Sequence, residues 1–484
     1  MILQFLQAKA LLLFHLIGFI ILAFLALNTP SVGGDGDTIM HYFWANYALS
    51  DPAALFNNWA KPFFTLFAAP STLFGFTGIK IFNISCGVLA SYLASIVARD
   101  FQWKLYWLLP LIAFGGVSFA PYLFSGLTEP FAAFVLILGI RFLQLGPDKN
   151  NYFYWGFLLL SFLPYCRSEA MVLLPLFALF GLHQKVYKAT ALLLFGTVFY
   201  SLIGSFFNDG NIYWLFDSPY KSGASVYGKG SWLHYFGRLK EMLGLVNYYL
   251  LLISIGFSLI FYSYQRKLFS TFILLIFAPA VLFFVAHTVV WALGIFASAG
   301  LERVLILTFP LYWLIIIHFL SFISEYFGEF KKYFGVFLLL ALSLFSYKIH
   351  RLPKSIFYWE NATLLRPHQK FEKEVICRYL NNRYPNLAER KLISDLPFVA
   401  LSLNLNPLDP KQVSNWERVT KELWSDIPAN SIFIWDSKTV PFYFQLDKEK
   451  VLDIPWLSLL KQFNFEDTEY LIFETKENFS EYSK

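Results

Sequence analysis

About eleven apolar stretches, each near the roughly 20 residues that cross a bilayer, run through this chain and leave it little choice but a bundle of membrane helices. They begin near Ala10, Ile79, Trp103, Thr128, Tyr152, Ala170, Ala189, Val246, Leu268, Val304 and Tyr333, each bounded by charge or by Pro and Gly. A chain of 484 residues that is 57% hydrophobic and 14% charged is too apolar to be soluble at this size. Its 56 Phe and 28 Tyr suit helices that face lipid and aromatic belts at the headgroups. The formal charge of +6 says little, because orientation depends on where basic residues fall. This composition argues against nucleic acid as a partner.

The first run, 11–27, has no small-x-small cleavage site before Asn28-Thr29-Pro30, so it reads as a retained anchor and not a signal peptide. Placing the N-terminus in the cytoplasm sends Arg99, Lys104, Lys149, Lys185, Lys188, Arg266, Lys267, Lys331 and Lys332 to short cytoplasmic loops, as the positive-inside rule requires. Cys86, Cys166 and Cys377 have neither disulfide-scaffold nor metal-thiolate spacing. After Tyr347 charged residues, Asn and Pro become frequent. The expected organisation is therefore an α-helical polytopic membrane domain over 1–347 and a small α/β extracytoplasmic domain over 348–484. A helix near 371–380 and strands at 391–394, 431–435 and 470–473 are expected in the latter. Lys, Asn and Phe usage favours a bacterial inner membrane with this domain in the periplasm.

Two outer loops stand out in that orientation. The one over 206–247 is rich in Gly, Ser, Trp and Tyr and reads as a flap over a site. The other, 28–78, carries Gly33-Gly34-Asp35-Gly36-Asp37-Thr38, then Asn57-Asn58-Trp59-Ala60-Lys61-Pro62, then an apolar stretch over 63–76 short enough to lie along the interface. Glycines let the backbone turn where side chains would clash, so two acids can approach a ligand. Capping of a helix that begins near Thr38 explains one Asp, but not a second two residues away.

Further charges interrupt the apolar runs, each at the outer end of a helix: Glu129, Arg167, Glu169, Glu302 and Arg303. A charge at mid-membrane costs about 2.5 to 3.5 kcal/mol on insertion scales, so it is rarely left without a partner or a task. Snorkelling to the headgroups is the plain alternative, for Lys61 as well. Arg303 follows Ala297-Ser298-Ala299-Gly300 and opens a helix, where backbone N–H groups and a guanidinium suit a phosphate. His41 lacks a second His at ligand spacing, so zinc is not expected there.

In this order these residues resemble the GT-C superfamily of membrane glycosyltransferases, which use polyprenyl-linked sugars. Asp37-Thr38-Ile39-Met40-His41-Tyr42 is similar to the loop in which the family's catalytic Asp precedes an aromatic. Trp59-Ala60-Lys61-Pro62-Phe63 resembles the Lys-Pro segment that contacts lipid phosphate in protein O-mannosyltransferases and the aminoarabinose transferases of lipid A. Thr128-Glu129-Pro130 looks like the second acidic site, and Glu302-Arg303-Val304-Leu305 with Pro310 like the late segment whose arginine binds donor phosphate. The chain departs from the family by Asp-Gly-Asp in place of Asp-Glu, as in mannosyltransferases acting on glycolipids, and by Val304 in place of an aromatic.

The resemblance implies transfer of a hexose such as mannose from a polyprenyl-phosphate donor to a lipid, glycan or protein acceptor, with membrane lipids around it. Direct displacement needs one base and cations for the departing phosphate, and implies inversion. Asp37 is the first choice for the base and Asp35 the second. Lys61, Arg303 and Arg167 are the phosphate-binding candidates, with Glu129, Glu169, Glu302, His41 and Tyr42 lining the site. No cofactor is required on this reading; a divalent cation, Mg or Mn, held by Asp35 and Asp37 is the alternative. A transporter or flippase of lipid-linked sugars and a non-catalytic envelope assembly protein are the rival classes. Transporters, however, carry midplane charges and paired halves not visible here.

Overall fold

The computed structural model describes residues 2–34, 36–214, 225, 227–264, 269–421, 423 and 427–476. Asp35, the centre of the expected flap, and Arg266 and Lys267 lie outside the described residues. The chain divides into two compact units, Met1–Gly33 with Asp51–Leu364, and Gly34–Ser50 with Leu365–Lys484.

The first unit is a multi-pass helical membrane bundle. Among the described residues six helices are long and apolar enough to cross: Lys9–Leu27, Pro62–Asp100, Tyr187–Ser205, Ile273–Leu293, Glu302–Tyr326 and Gly328–Ile349. Each of the other expected runs is present as a shorter or interrupted helix: Leu109–Phe114 with Phe119–Tyr122, Glu129–Leu145, Asn151–Ser161, Leu174–His183 and Leu245–Tyr264. Proline explains much of the interruption. Pro62, Pro110, Pro130, Pro164, Pro279 and Pro310 all sit in the first turn of their segment, where a missing N–H costs nothing. Glu302–Tyr326 forms the centre of the bundle, 94% of its most apolar window being buried.

The stretch 63–76 packs one face on the bundle and leaves Leu66, Phe67, Leu73 and Phe74 exposed on the other. Phe63 stacks on Phe162 at 4.7 Å and Phe64 is fully buried, so its inner face is packed, and the segment runs into Gly75–Asp100. Residues 348–364 likewise belong with the bundle. The helix Pro353–Thr363 packs on Phe119–Tyr122, with Tyr358 against Tyr122, although its composition is that of a soluble segment. Cys86, Cys166 and Cys377 are buried and free.

The second unit is a small α/β fold around a five-stranded sheet of order β2-β1-β3-β5-β4, with β1 Leu392–Ile393, β2 Val413–Ser414, β3 Ile432–Asp436, β4 Leu457–Phe465 and β5 Thr468–Thr475. β1 pairs in parallel with β2 and β3, and β5 lies antiparallel between β3 and β4. β3 is buried on both faces, which is why it reads as a continuous apolar run. Ile432, Ile434 and Ile472 face one core, and Phe433, Trp435, Leu471 and Phe473 the other. The expected helix near 371–380 forms as Pro367–Phe371, a π-turn Glu372–Cys377 and Arg378–Arg383. β2 and β4 were not anticipated, since one is two residues long and the other is half exposed.

Candidate active site

Four of the five charges that interrupt the apolar runs, Glu129, Arg167, Glu169 and Arg303, come together inside the bundle. Asn83 donates from Nδ2 to the carbonyls of Ser125 (2.7 Å) and Leu127 (2.8 Å), fixing the turn that leads into Glu129–Leu145. Glu129 opens that helix with its side chain fully buried. Arg167 Nη1 lies 3.1 Å from Glu129 Oε1 and also donates to Thr128 Oγ1 at 3.4 Å, while its Nη2 meets Glu169 Oε1 at 2.5 Å. Arg303 Nε approaches the same Glu129 oxygen at 3.5 Å. One buried carboxylate thus holds two guanidinium groups together that would otherwise repel. Breaking such a pair strands a charge in a medium of low dielectric, which makes the arrangement rigid. Glu129 is therefore no snorkelling boundary marker.

Lys61 joins the cluster through Ser168. Its Nζ donates to Ser168 Oγ at 2.8 Å and to the Asn58 carbonyl at 3.2 Å, and its own backbone sits at φ +66° just ahead of Pro62. A non-glycine residue in the left-handed region is uncommon and persists where the surroundings demand it. Among the described residues Lys61, Arg167 and Arg303 stand against Glu129 and Glu169. The two guanidinium groups retain 11% and 18% side-chain exposure, so the cluster is not sealed off.

Glu302 is engaged elsewhere. Its Oε1 accepts from Tyr358 OH at 3.0 Å and Tyr122 OH at 3.3 Å, and Arg238 Nε lies 3.9 Å from its Oε2. Arg238 and Lys354 in turn share Glu241, at 3.1 and 3.0 Å. This second network latches the helix His234–Leu243, the described end of the expected flap, to Pro353–Thr363.

Several contributors escaped the sequence reading. His287, buried in Ala278–Leu293, interacts electrostatically with Glu169 and Arg167, and its Nε2 has no hydrogen-bond partner among the described residues. Tyr122, Tyr358 and Arg238 lie far apart in sequence and carry no motif. Lys80, inside an apolar run, donates to the carbonyls of Thr29 (2.9 Å) and Ser31 (3.1 Å) and so anchors the segment entering the acidic loop. Gly33 there has φ +68°, and a Cβ would stand 2.4 Å from the Phe124 carbonyl oxygen, so no other residue fits.

Asp37, His41 and Tyr42 belong to the second unit. They lie on the helix Gly36–Tyr47, Asp37 half-buried in its first turn and His41 buried four residues on. Gln369 Nε2 donates to the Gly34 carbonyl at 2.8 Å and tethers the start of this helix. Burial pushes the Tyr42 phenol up, keeping it protonated. Among the described residues no three His, Cys, Asp or Glu groups stand where they would hold a metal ion.

Fold and composition together define a multi-pass helical membrane protein with a small α/β unit. Two solved structures share the fold. They are ArnT from Cupriavidus metallidurans bound to undecaprenyl phosphate, with a TM-score of 0.64, 11% identity and 97% of this chain and 98% of that chain covered, and the same protein in the apo state, at 0.62, 11%, 96% and 98%. No family model and no curated protein matches the sequence.

Proposed function

We propose that this chain is an integral membrane glycosyltransferase that moves one sugar, a hexose such as mannose, from a polyprenyl-phosphate donor to a hydroxyl of a lipid, glycan or protein. The supporting observation is the pair of arginines, Arg167 and Arg303, held on buried Glu129 with Lys61 attached through Ser168. It occurs in a fold shared with an ArnT structure that holds undecaprenyl phosphate. A fixed, partly exposed set of cations suits a leaving phosphate, whose negative charge grows as the anomeric bond breaks. Because the cations are already paired and oriented, little reorganisation accompanies the reaction.

The base on this reading is Asp37, with Asp35 as the second candidate. It removes the acceptor proton as the hydroxyl attacks the anomeric carbon from the face opposite the phosphate, so the product is inverted. Lys61 and Arg303 supply the positive charge that a metal Lewis acid would otherwise bring, which favours a reaction without Mg or Mn. The reaction is placed on the extracytoplasmic side of a bacterial inner membrane, where the positive-inside pattern puts these helix ends.

The test is transfer of radiolabel from polyprenyl-phosphate mannose to extracted envelope acceptors by the purified chain in lipid nanodiscs. Label appearing in acceptor, and lost in Arg303→Ala, supports the transferase. Movement of labelled lipid between leaflets without transfer marks a flippase, and neither event marks an assembly protein.

A further inference from the structure

A surface cavity of about 630 Å³ lies where β1 and β2 end, made wholly of residues from the unit of Gly34–Ser50 and Leu365–Lys484. Open α/β sheets bind ligands at the carboxyl ends of parallel strands, because the loops leaving them diverge. The size falls among ordinary small-molecule pockets.

Two polar groups of the cavity, Asp395 and Arg418, are held by neighbours, and Glu417 and Lys421 form an exposed pair at its rim. Asp395, just beyond β1, accepts from the Trp416 backbone N–H at 3.2 Å through Oδ2. Arg418 Nε donates to Ser414 Oγ at 3.0 Å, and Lys421 Nζ lies 2.6 Å from Glu417 Oε1. Asp395 and Glu417 against Arg418 and Lys421 leave this wall with at most one net positive charge, a poor match for the two or more negative charges of a phosphate or a nucleotide. Alternating acceptors and donors instead match neighbouring hydroxyls on a ring, one donating to a carboxylate while the next accepts from a guanidinium. Burial, with Asp436 nearby, pushes Asp395 up to about 7, so near neutrality it also offers an O–H. Pro397 and Leu408 give an apolar surface for the C–H face of a sugar. One wall is Met40, which lies on the helix Gly36–Tyr47, one turn from Asp37.

We propose that this cavity binds a neutral saccharide, the glycan part of the acceptor, and sets it against the helix that carries Asp37. The proposal rests on the transferase reading for the word acceptor, and on this unit alone for the binding. The test is saturation-transfer NMR on the full chain in nanodiscs with free mannose, glucose and N-acetylglucosamine, in the presence of excess undecaprenyl phosphate. At least one sugar is expected to bind, about tenfold more weakly in Arg418→Ala and in the isosteric Asp395→Asn, and unchanged in Arg303→Ala. Unfolding midpoints of both cavity variants are measured alongside. Binding of none of the three sugars overturns the proposal. Equal binding by both cavity variants, loss only in Arg303→Ala, or displacement by inorganic phosphate does so as well. Sugar binding without radiolabel transfer would sink the transferase reading and leave the site standing.

Discussion

Arg167 Nη1 lies 3.1 Å from Glu129 Oε1, and that carboxylate, without exposed surface, is also shared with Arg303. Removing it takes from both guanidinium groups the carboxylate they share and leaves Arg167 with Glu169. Glu129→Ala is expected to cost about 3–5 kcal/mol, the range for breaking a buried pair. Thermal unfolding in detergent checks this. Adding Arg167→Met to Glu129→Ala should recover part of the loss, and a purely additive pair of effects would count against the shared clamp.

Arg303 and Lys61 are expected to act on the donor. Arg303→Ala should lower kcat/KM for the polyprenyl-phosphate sugar by about 10- to 100-fold, and Arg303→Lys should restore little, because an ammonium cannot reproduce the planar fork. Lys61→Met should show a similar loss with an unchanged unfolding midpoint. Steady-state kinetics with a defined donor measure both.

Asp37→Asn should reduce transfer by about a hundred- to ten-thousandfold while the protein stays folded, and Asp35→Asn should have the smaller effect. Near-normal turnover by Asp37→Asn would reject it as the base, and the reverse order of effects would move that role to Asp35.

Activity should survive exhaustive treatment with EDTA and gain nothing from added Mg or Mn, since the cations of the cluster carry the phosphate charge. Loss on chelation and recovery on readdition would assign a metal to Asp35 and Asp37.

The second unit should become less stable as pH rises. Glu372 is buried, its Oε1 accepting from Tyr470 OH at 3.4 Å, and burial pushes it up to about 7, with Asp436 adding to the rise; Asp395 is likewise pushed up to about 7. The unfolded chain releases these protons near about 3.9 to 4.3. Between those values the folded state binds more protons, so this stability is present below the unfolded pKa and is lost as pH climbs through about 7. Hydrogen exchange of β3 and β5 amides, corrected for intrinsic rates, should show weaker protection at pH 8 than at pH 5, and Glu372→Gln should flatten the difference.

The membrane class of the chain was legible because lipid selects for length and apolarity, which are local properties. Each expected run start falls in or just ahead of a helix. The interruptions near Gly115 and Pro164 were harder to see, because a broken helix and a whole one present the same hydropathy. In the small domain β1, β3 and β5 showed as apolar runs, whereas β2 and β4 form through pairing with neighbours.

The sequence by itself determined a bundle of membrane helices, a polar tail, and a set of charges that lipid would not tolerate without partners. Only the tertiary structure decided which charges meet. Glu129 clamps Arg167 and Arg303, Lys61 reaches Ser168, and Glu302 turns to Tyr122, Tyr358 and Arg238. It also decided that the helix bearing Asp37 is built into the unit of the C-terminal sheet. The reason is physical. Helix formation follows from residues a few positions apart, but an ion pair depends on where whole helices cross, and no local pattern encodes that.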